Sequence, residues 1–322
     1  MNADVRYLLR LAAFAAAILL LFCVLSPARF LSTANLSSMA YQLPEFAILA
    51  LAIHPTMLTG GIDLSVVSVA NLSAIIAALT MRSLPAQYII VAMIIGLLVG
   101  LIVGSINGLL VAGGLPAILA TLGTMQLFAG ISVVLAYSTG DSGASVTGIP
   151  PIYSNILNGS VLSIPTPLIV FLLTFLIIYV VTAKTPLGKQ MRLFGTNSRA
   201  AVFAGIPTFR VIVITYILSG LIASCAGLVI LARANSANAD YGTSYLLLSV
   251  LINILAGVNP NGGSGSVFGL ILAVLSLQFI SSGLNIMEVN VFARDLTYGG
   301  LLVMVMVVNR LQGRIHSTRP RT

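Results

Sequence analysis

Charged residues are scarce in this chain, and their scarcity excludes most classes of protein. They make up 7% of the 322 residues, whereas a soluble globular domain carries about a quarter. So few charges cannot cover the surface of a water-soluble globule of this size. Disorder of the whole chain is excluded as well, because 58% of the residues are hydrophobic and the mean hydropathy is +1.09. The composition therefore predicts a chain embedded in a membrane.

Cysteine is also rare, which argues against a metal site. Cys23 and Cys225 both lie in apolar runs, and neither has a cysteine or histidine close by in the sequence. We therefore expect two buried free thiols and no bound metal.

Nucleotide-binding and catalytic motifs are missing too. The phosphate-binding motif G-x-x-x-x-G-K-[ST] does not occur, because Leu187-Gly188-Lys189 lacks both the upstream glycine and the following Ser or Thr. No base and nucleophile stand together in a pattern that would indicate catalysis. We expect a chain that is not an enzyme, has no catalytic residues and binds no cofactor of its own.

What the chain does contain is a succession of apolar runs, most of them about as long as a membrane-spanning helix. Ten runs predict an all-α, polytopic helix bundle that forms one transmembrane domain over residues 1–322. The eighth run is short for a full crossing, which indicates broken or re-entrant segments. The first resembles the apolar part of a signal peptide; we expect it to be retained because so many spans follow, with cleavage as the alternative. The runs cover residues 11–26, 43–59, 62–80, 88–112, 117–137, 164–183, 211–232, 245–258, 266–284 and 296–309.

The positive charges give the orientation, because they collect on the cytoplasmic side of a membrane. An even number of spans puts both termini on one side. With the termini inside, we expect a multi-pass protein with a cytoplasmic loop at 184–210 and an extracytoplasmic loop at 138–163. The charges are too scattered to indicate nucleic-acid binding. Four cations then lie outside, Arg29, Arg82, Arg233 and Arg294, and eleven inside, Arg6, Arg10, Lys184, Lys189, Arg192, Arg199, Arg210, Arg310, Arg314, Arg319 and Arg321.

Two pairs of glycines interrupt the apolar runs and predict helix breaks, at Gly60-Gly61 and at Gly262-Gly263. Asp63 follows the first pair, and an ionisable residue within the membrane is a functional candidate. Two interpretations are open. Asp63 either caps the start of the next helix or serves as a gate or a contact for a transported solute.

Polar side chains of the third and fifth spans suggest a path through the bundle. Those in the third span share a helical face beside Asp63. Serine hydroxyls that bond their own backbone would give the same pattern, so this path is a hypothesis. Besides Asp63, its candidate residues are Ser65, Ser68, Asn71, Thr121, Thr124 and Gln126.

Four glycines lie on one face of the fourth span, at Gly96, Gly100, Gly104 and Gly108. Small residues at this spacing let two helices approach closely in lipid. They predict tight packing against another span, and sliding along that seam is the functional alternative.

The loop at 184–210 contains the signals of a short helix. Residues 196–198 offer N-caps, Ala200, Phe203 and Ala204 form a small apolar face, and Gly205 ends it. Such a helix either lies on anionic lipid or docks a cytoplasmic protein, and composition favours neither.

Four stretches in order resemble the permease subunits of carbohydrate-uptake ABC importers, the ribose, xylose and galactoside group. Residues 60–66 are similar to the family's GGIDLSVGS, and residues 107–124 to its NG…P…TLGT. Residues 195–206 resemble GxNxxAAxxxGI, and residues 262–285 resemble GGxGS…GLN. The similarity extends over about residues 43–310. Val67 and Val258 stand where the family has glycine, which adds bulk beside both helix breaks.

The resemblance implies a fold and a set of partners. The fold would contain an inverted repeat of spans two to five against spans seven to ten. The permease would pair with an identical or related copy, and a soluble solute-binding protein would deliver substrate to the outer loops at about 138–163 and 233–244. A separate ABC ATPase would consume the ATP and dock on the loop helix. The coupling residues implied are Gly195, Thr196, Asn197, Ser198, Arg199, Ala200, Ala201 and Gly205.

The expected function is therefore translocation of a sugar or sugar-like solute across the bacterial inner membrane into the cytoplasm. A self-sufficient secondary transporter or channel for a small polar solute is the alternative, and an intramembrane enzyme is disfavoured. The sequence leaves open which solute is carried and whether the permease pair is a homodimer or a heterodimer.

Overall fold

Helices account for most of the computed structural model, which describes residues 3–141 and 143–317. Arg319 and Arg321, which we place among the inner cations, lie outside the described residues, as does Ser142 of the outer loop. The helices are α1 (Ala3–Leu25), α2 (Pro27–Phe30), α3 (Thr33–Leu58), α4 (Val66–Ser83), α5 (Ile89–Ala112), α6 (Ala117–Tyr137), α7 (Pro151–Leu157), α8 (Thr166–Tyr179), α9 (Pro186–Thr196), α10 (Ser198–Phe203), α11 (Thr208–Ala234), α12 (Thr243–Leu255), α13 (Val267–Ile286) and α14 (Val291–Ser317).

Eight helices of the described chain are long and apolar enough to cross a membrane. Two of them extend beyond their regular α part: a 3₁₀ turn, Ala86–Tyr88, precedes α5, and a π-helical turn, Val180–Lys184, follows α8. α12 has only 13 residues, fewer than the roughly 20 that a crossing needs, as expected for the eighth run. α14 occupies the position of the tenth run. The polytopic all-α bundle is confirmed. The eight are α1, α3, α4, α5, α6, α8, α11 and α13.

Two long helices, α3 and α11, form the centre of the bundle. Every residue of α3 from Phe46 to Leu58 is buried. α3 packs against α4, α8, α11, α12 and α13, while α11 packs against α3, α4 and α5. The helices around them expose apolar side chains, such as Leu119 of α6 and Leu173 of α8, as a lipid-facing surface requires.

In the described part of the chain, four two-residue strands lie in the loops at the end of the bundle opposite α10. β1 (Ser145–Val146) pairs with β4 (Ala237–Asn238) in antiparallel register, and β2 (Ser160–Val161) pairs with β3 (Ile164–Pro165). The β1–β4 pair joins two loops that are about 90 residues apart in the sequence, the distance between its paired residues. The two segments that we expect on the outer side therefore form one surface.

Asp141 holds the first part of the loop at 138–163 against the end of α4. Its carboxylate accepts a hydrogen bond from the backbone N–H of Thr147 at 2.9 Å and forms an ion pair with Arg82 at 2.7 Å. The Thr147 amide and the Arg82 guanidinium hold the pKa of the Asp141 carboxyl below its ordinary value. The carboxylate thus ties the end of α4 to the loop that carries β1.

The glycine face of α5 packs against α11, as the sequence predicts. A methyl group added to Gly100 would collide with the carbonyl oxygen of Gly220, and one added to Gly108 would lie 2.9 Å from the Cα of Val213. The backbones of the two helices are therefore in direct contact. Dispersion forces between closely packed atoms stabilise such a contact in lipid, where no hydrophobic effect drives helices together.

We expect Gly100→Ala to lower the midpoint of thermal unfolding of the purified protein. The added methyl group must push α5 away from α11, and overpacking of this kind destabilises by about 1–3 kcal/mol. Gly123→Ala is the matched control, because Gly123 of α6 has no atom within 4 Å of an added methyl group. Alanine favours helix over glycine, so the control should hold or raise the midpoint. Equal midpoints for the two variants would contradict the tight seam.

Candidate translocation and coupling sites

Asp63 lies in the break between α3 and α4 and is only 1% exposed. Its Oδ1 accepts hydrogen bonds from the backbone N–H of Ser65 at 3.0 Å and from the Ser65 hydroxyl at 2.6 Å. Its Oδ2 accepts one from the hydroxyl of Ser219 on α11 at 2.9 Å. The carboxyl group thus satisfies a free amide just before α4 begins and also ties the break to the central helix.

Two further helices hold the same break. Asn107 of α5 donates to the Ser65 hydroxyl at 2.8 Å. The Thr121 hydroxyl of α6 accepts from the backbone N–H of Leu64 at 3.2 Å and lies 3.1 Å from the carbonyl oxygen of Ile62. Thr121 of α6 therefore bonds the irregular backbone itself, whereas α5 and α11 bond the side chains of Ser65 and Asp63 within the break.

The remaining path candidates separate into two groups. Ser68 and Thr124 are buried, and each hydroxyl donates to a backbone carbonyl three residues earlier in its own helix. Asn71 donates to the carbonyl oxygens of Ala239 and Tyr241 in the outer loop, at 2.8 and 2.9 Å. Gln126 is exposed on the opposite side of α6 from Thr121 and Thr124.

The seven candidates therefore do not form a single lining. Asp63, Ser65 and Thr121 converge on the helix break, whereas the other four lie elsewhere. The described part of the chain contains cavities of about 720, 390 and 480 Å³, and none of the seven candidates lines any of these three. The path remains a prediction.

Sequence reasoning missed Ser219 as a partner of Asp63, because the two residues are 156 positions apart. It also missed the hydrogen bond of Asn107, although this residue belongs to the second similar stretch. Tyr216 of α11 was missed too; its buried hydroxyl bonds no described residue and would be 2.6 Å from a methyl group added to Gly61. The one signal in the sequence for Tyr216 and Ser219 is their spacing. They are polar residues three positions apart, so they lie on the same face of an otherwise apolar helix.

The short loop helix is present as predicted. α10 covers Ser198–Phe203, and the Asn197 side chain caps it by accepting from the backbone N–H of Ala200 at 3.0 Å. Gly205 follows with a φ of +74°, a conformation that favours glycine. Ala201 is buried and anchors the helix, whereas Arg199 and Ala200 are exposed.

A second helix of this loop, α9, was not predicted. The hydroxyl of Thr185 caps it by accepting from the backbone N–H of Gly188 at 3.4 Å, and Pro186 occupies its first position, where proline is favoured. Arg192 of α9 donates to the carbonyl oxygen of Gly265 at 2.9 Å. The Thr-Pro pair was the signal in the sequence for its start.

Both glycine breaks meet the end of α9 in backbone contact. A methyl group added to Gly195 would collide with the carbonyl oxygen of Leu58 and lie 2.6 Å from the amide nitrogen of Gly263. A methyl group added to Gly262 would lie 2.7 Å from the amide nitrogen of Gly60. The Gly263 N–H donates to the Leu58 carbonyl at 3.0 Å. We call the contact of Leu58, Gly60, Gly195, Gly262 and Gly263 the glycine junction.

Two cavities lie beside the glycine junction. One, of about 480 Å³, is lined by residues of both partners in the contact, including Thr59, Gly195, Arg199 and Asn261. The other, of about 720 Å³, lies between α1, α8, α9 and α13 and is lined by Tyr7, Tyr179, Arg192 and Phe268 among others. The polar side chains of Thr59, Arg199 and Asn261 therefore border open space beside the junction.

We expect Ser219→Ala to destabilise the protein by about 1–3 kcal/mol, because the change leaves a buried carboxyl oxygen of Asp63 without that donor. Ser224→Ala is the matched control on the same helix, since the Ser224 hydroxyl only donates to the carbonyl of Leu221 one turn earlier. The measurement is thermal unfolding of the two purified variants beside the parent. A smaller loss in Ser219→Ala than in the control would contradict the role of the Asp63–Ser219 bond.

Comparison with known proteins agrees with the bundle of membrane-spanning helices. Residues 35–308 match the family described as "Branched-chain amino acid transport system / permease component". The ribose import permease protein RbsC of Bacillus subtilis is 34% identical over 297 residues, which cover 91% of this chain and 89% of that protein. The D-allose transport system permease protein AlsC of Escherichia coli is 32% identical, over 92% of this chain and 89% of its own length.

A third relative is the autoinducer 2 import system permease protein LsrD of Escherichia coli, 32% identical over 85% of this chain and 84% of that protein. No solved structure matches the chain. All three relatives are transport permeases and not enzymes, and they align with nearly all of the bundle. The chain therefore belongs to the family of permease components of membrane transport systems.

Proposed function

We propose that this chain is the membrane-spanning permease subunit of an ABC importer that carries a sugar or sugar-like solute into the cytoplasm. The relatives at 32–34% identity are permeases for ribose, allose and autoinducer 2, which favours such a solute over the amino acids of the family's description. The solute would pass between this chain and a second permease, identical or related.

The observation that carries the proposal is the exposed surface of α10. Phe203 is 92% exposed and Val202 58% exposed, next to the exposed guanidinium of Arg199. Large apolar side chains that project from a short, capped helix beside cations are typical of a site that another protein covers. We therefore assign this surface to a separate ABC ATPase, which supplies the ATP chemistry that this chain lacks.

The eight coupling residues divide into four tasks. Asn197 and Ser198 start α10, and Gly205 ends it. Ala201 fixes the helix to the bundle, while Arg199 and Ala200 face the ATPase. The other two, Gly195 and Thr196, lie against the helix break at Gly262-Gly263, so a movement of α10 would reach both breaks through the glycine junction.

The charges support an orientation with α10 in the cytoplasm of a bacterial cell, in the inner membrane, and with both termini on the same side. The paired strands β1 and β4 would then lie outside, where they join the loops that we assign to a solute-binding protein. Gln126 supports pairing with a second permease. Its polar side chain is exposed on a spanning helix beside the exposed Leu122 and Leu127, so it is better placed in a protein contact or a water-filled path than in lipid.

We expect Arg199→Asp and Ala200→Asp to abolish ATP-dependent uptake of radiolabelled ribose in proteoliposomes that contain the chain, its ATPase and its binding protein. Each change places a carboxylate on the surface that we assign to the ATPase. Arg29→Asp, the same charge change at an exposed position near the opposite end, should retain uptake. The amount of inserted protein is measured in parallel.

Wild-type uptake and wild-type stimulation of ATP hydrolysis in both α10 variants would refute the docking assignment. Uptake by the chain alone, driven by an ion gradient and insensitive to ATP, would instead support a secondary transporter.

We expect Gly195→Ala to separate docking from transport. The methyl group cannot fit between Leu58 and Gly263, so α9 must move away from both breaks, whereas the exposed face of α10 is unchanged. The ATPase should still co-purify with the variant, and solute uptake should fall by about tenfold or more, which corresponds to 1.4 kcal/mol or more. Gly123→Ala again serves as the control. Loss of ATPase binding together with uptake would show that Gly195 supports docking only.

A further inference from the structure

A third cavity, distinct from the breaks and from the glycine junction, lies at the outer end of the bundle. It has a volume of about 390 Å³ and is formed where α3, α11, α12, α13 and α14 meet. We call it the outer cavity. Its polar lining residues include Arg233, Ser244, Asn285, Arg294, Asp295 and Tyr298.

One lining residue of the outer cavity, Arg233, is held by an ion pair with Glu45, which is not itself part of the lining. Glu45 of α3 is 3% exposed and bonds Arg233 of α11 through the Nε atom. The Tyr245 hydroxyl donates to the second oxygen of Glu45 at 2.9 Å. Among the described residues, no further hydrogen bond engages the terminal nitrogens of Arg233, whose side chain is 38% exposed. The Nε side of the Arg233 guanidinium thus joins α11 to α3 through Glu45, and the terminal nitrogens are available to a ligand in the cavity.

Other lining residues of the outer cavity have unused hydrogen-bonding capacity. The Oδ2 atom of Asp295 accepts from the Ser244 hydroxyl at 3.1 Å, which leaves Oδ1 available. In the described part of the chain, the side chains of Arg294 and Asn285 form no hydrogen bond or ion pair with another residue. In a purely structural network, such side chains would be hydrogen-bonded to one another. Here Asn285, Arg294 and Asp295 instead border the same open space.

The charges of the outer cavity select the kind of ligand. Arg233 and Arg294 are balanced by Glu45 and Asp295, so the site has no net charge that would favour an anion or a cation. A guanidinium group donates hydrogen bonds along a planar edge, and a carboxylate accepts them. A hydroxyl can both donate and accept, so neighbouring hydroxyls of one ligand can bond both kinds of group. Phe46, Tyr245 and Tyr298 add apolar surface. The volume lies within the roughly 300–1,000 Å³ that is usual for small-ligand sites.

We propose that the outer cavity is a binding subsite for one neutral polyhydroxylated solute, which it receives on the extracytoplasmic side before translocation. Arg233, Arg294, Asp295 and Asn285 supply its hydrogen bonds, and the aromatic side chains cover its apolar face. The inference rests on the proposed function for the orientation and for the class of solute. Binding itself requires neither ATP nor a partner, so it is tested on this chain alone.

The test measures protection of a cysteine reporter in the full-length chain, reconstituted in lipid nanodiscs. Thr243→Cys places a thiol at an exposed lining position, in a background of Cys23→Ala and Cys225→Ala. The rate of maleimide labelling is measured with D-ribose, D-allose or xylitol at about 0–100 mM, a range that covers weak, millimolar binding. At least one of the three should slow labelling in a saturable manner. Leu162→Cys, on an outer loop and 92% exposed, is the control reporter and should be labelled at an unchanged rate.

Substitutions in the wall show whether the outer cavity itself holds the solute. Arg294→Gln and Asp295→Asn should each raise the half-protecting concentration by about tenfold, because a hydrogen bond to a charged group is lost. Phe292→Ala, a neighbouring residue that is 84% exposed and not part of the lining, should leave it unchanged. Glu45 and Arg233 are left intact, since their ion pair supports the fold.

Three results would overturn the proposal: no protection by any of the three solutes, equal protection of both reporters, or full protection in both wall variants. Protection by a binding protein but not by a solute would instead assign the cavity to protein docking. These outcomes do not depend on coupling to ATP hydrolysis, so a failure here is distinguishable from a failure of the importer proposal.

Discussion

A helix that breaks inside a membrane leaves backbone N–H and C=O groups without partners, and no water is present to bond them. This constraint explains the polar residues around residues 59–65. Asp63 bonds the amide of Ser65, Thr121 bonds that of Leu64, and the Leu58 carbonyl receives the N–H of Gly263. The break is therefore possible only because α6, α11 and the second glycine turn surround it. The interpretation of Asp63 as a cap and the interpretation as a functional residue are compatible, since a cap that is shared between helices couples their positions.

The same constraint explains why glycine is needed where the two breaks approach α9. Backbone groups can bond across segments only when no side chain separates them. Gly60, Gly262 and Gly263 have φ values of +81°, +92° and +84°, which other residues rarely adopt, so both the turns and their mutual contact require glycine. A contact made by backbone atoms contains no side chain that could change rotamer. A displacement of α9 is therefore passed on to both breaks with little loss. The helix that we assign to docking is joined in this way and is suited to move both breaks together.

The sequence predicted the parts of this fold that depend on local chemistry. The apolar runs, the short α12, the limits of α10 and the glycine face of α5 all follow from composition and spacing within a few residues. The sequence did not predict contacts between distant segments. Ser219 and Asp63 belong to separate spans, and neither hydrophobicity nor spacing indicates that they pair. Gln126 was grouped with Thr121 because both are polar, although a shift of five residues turns a side chain to a different face of an α-helix, by about 140°. α9 was missed because its apolar and polar residues were read as a basic loop.

The distribution of charge gives the two ends of the bundle different chemistry. At the outer end, Arg82 pairs with Asp141 and Arg233 with Glu45, while Arg294 adjoins Asp295 in the outer cavity. At the other end, the described loop from Lys184 to Arg210 contains five cations and no acidic residue. Cations that are already balanced by carboxylates can bind a neutral solute without attracting ions. Unbalanced cations beside the exposed phenyl ring of Phe203 are suited to a larger partner or to anionic lipid. A net charge of +8 in a chain with 7% charged residues thus reflects one neutral end and one basic end. The cavity that we propose for a solute and the helix that we assign to an ATPase are separated by the full length of α11.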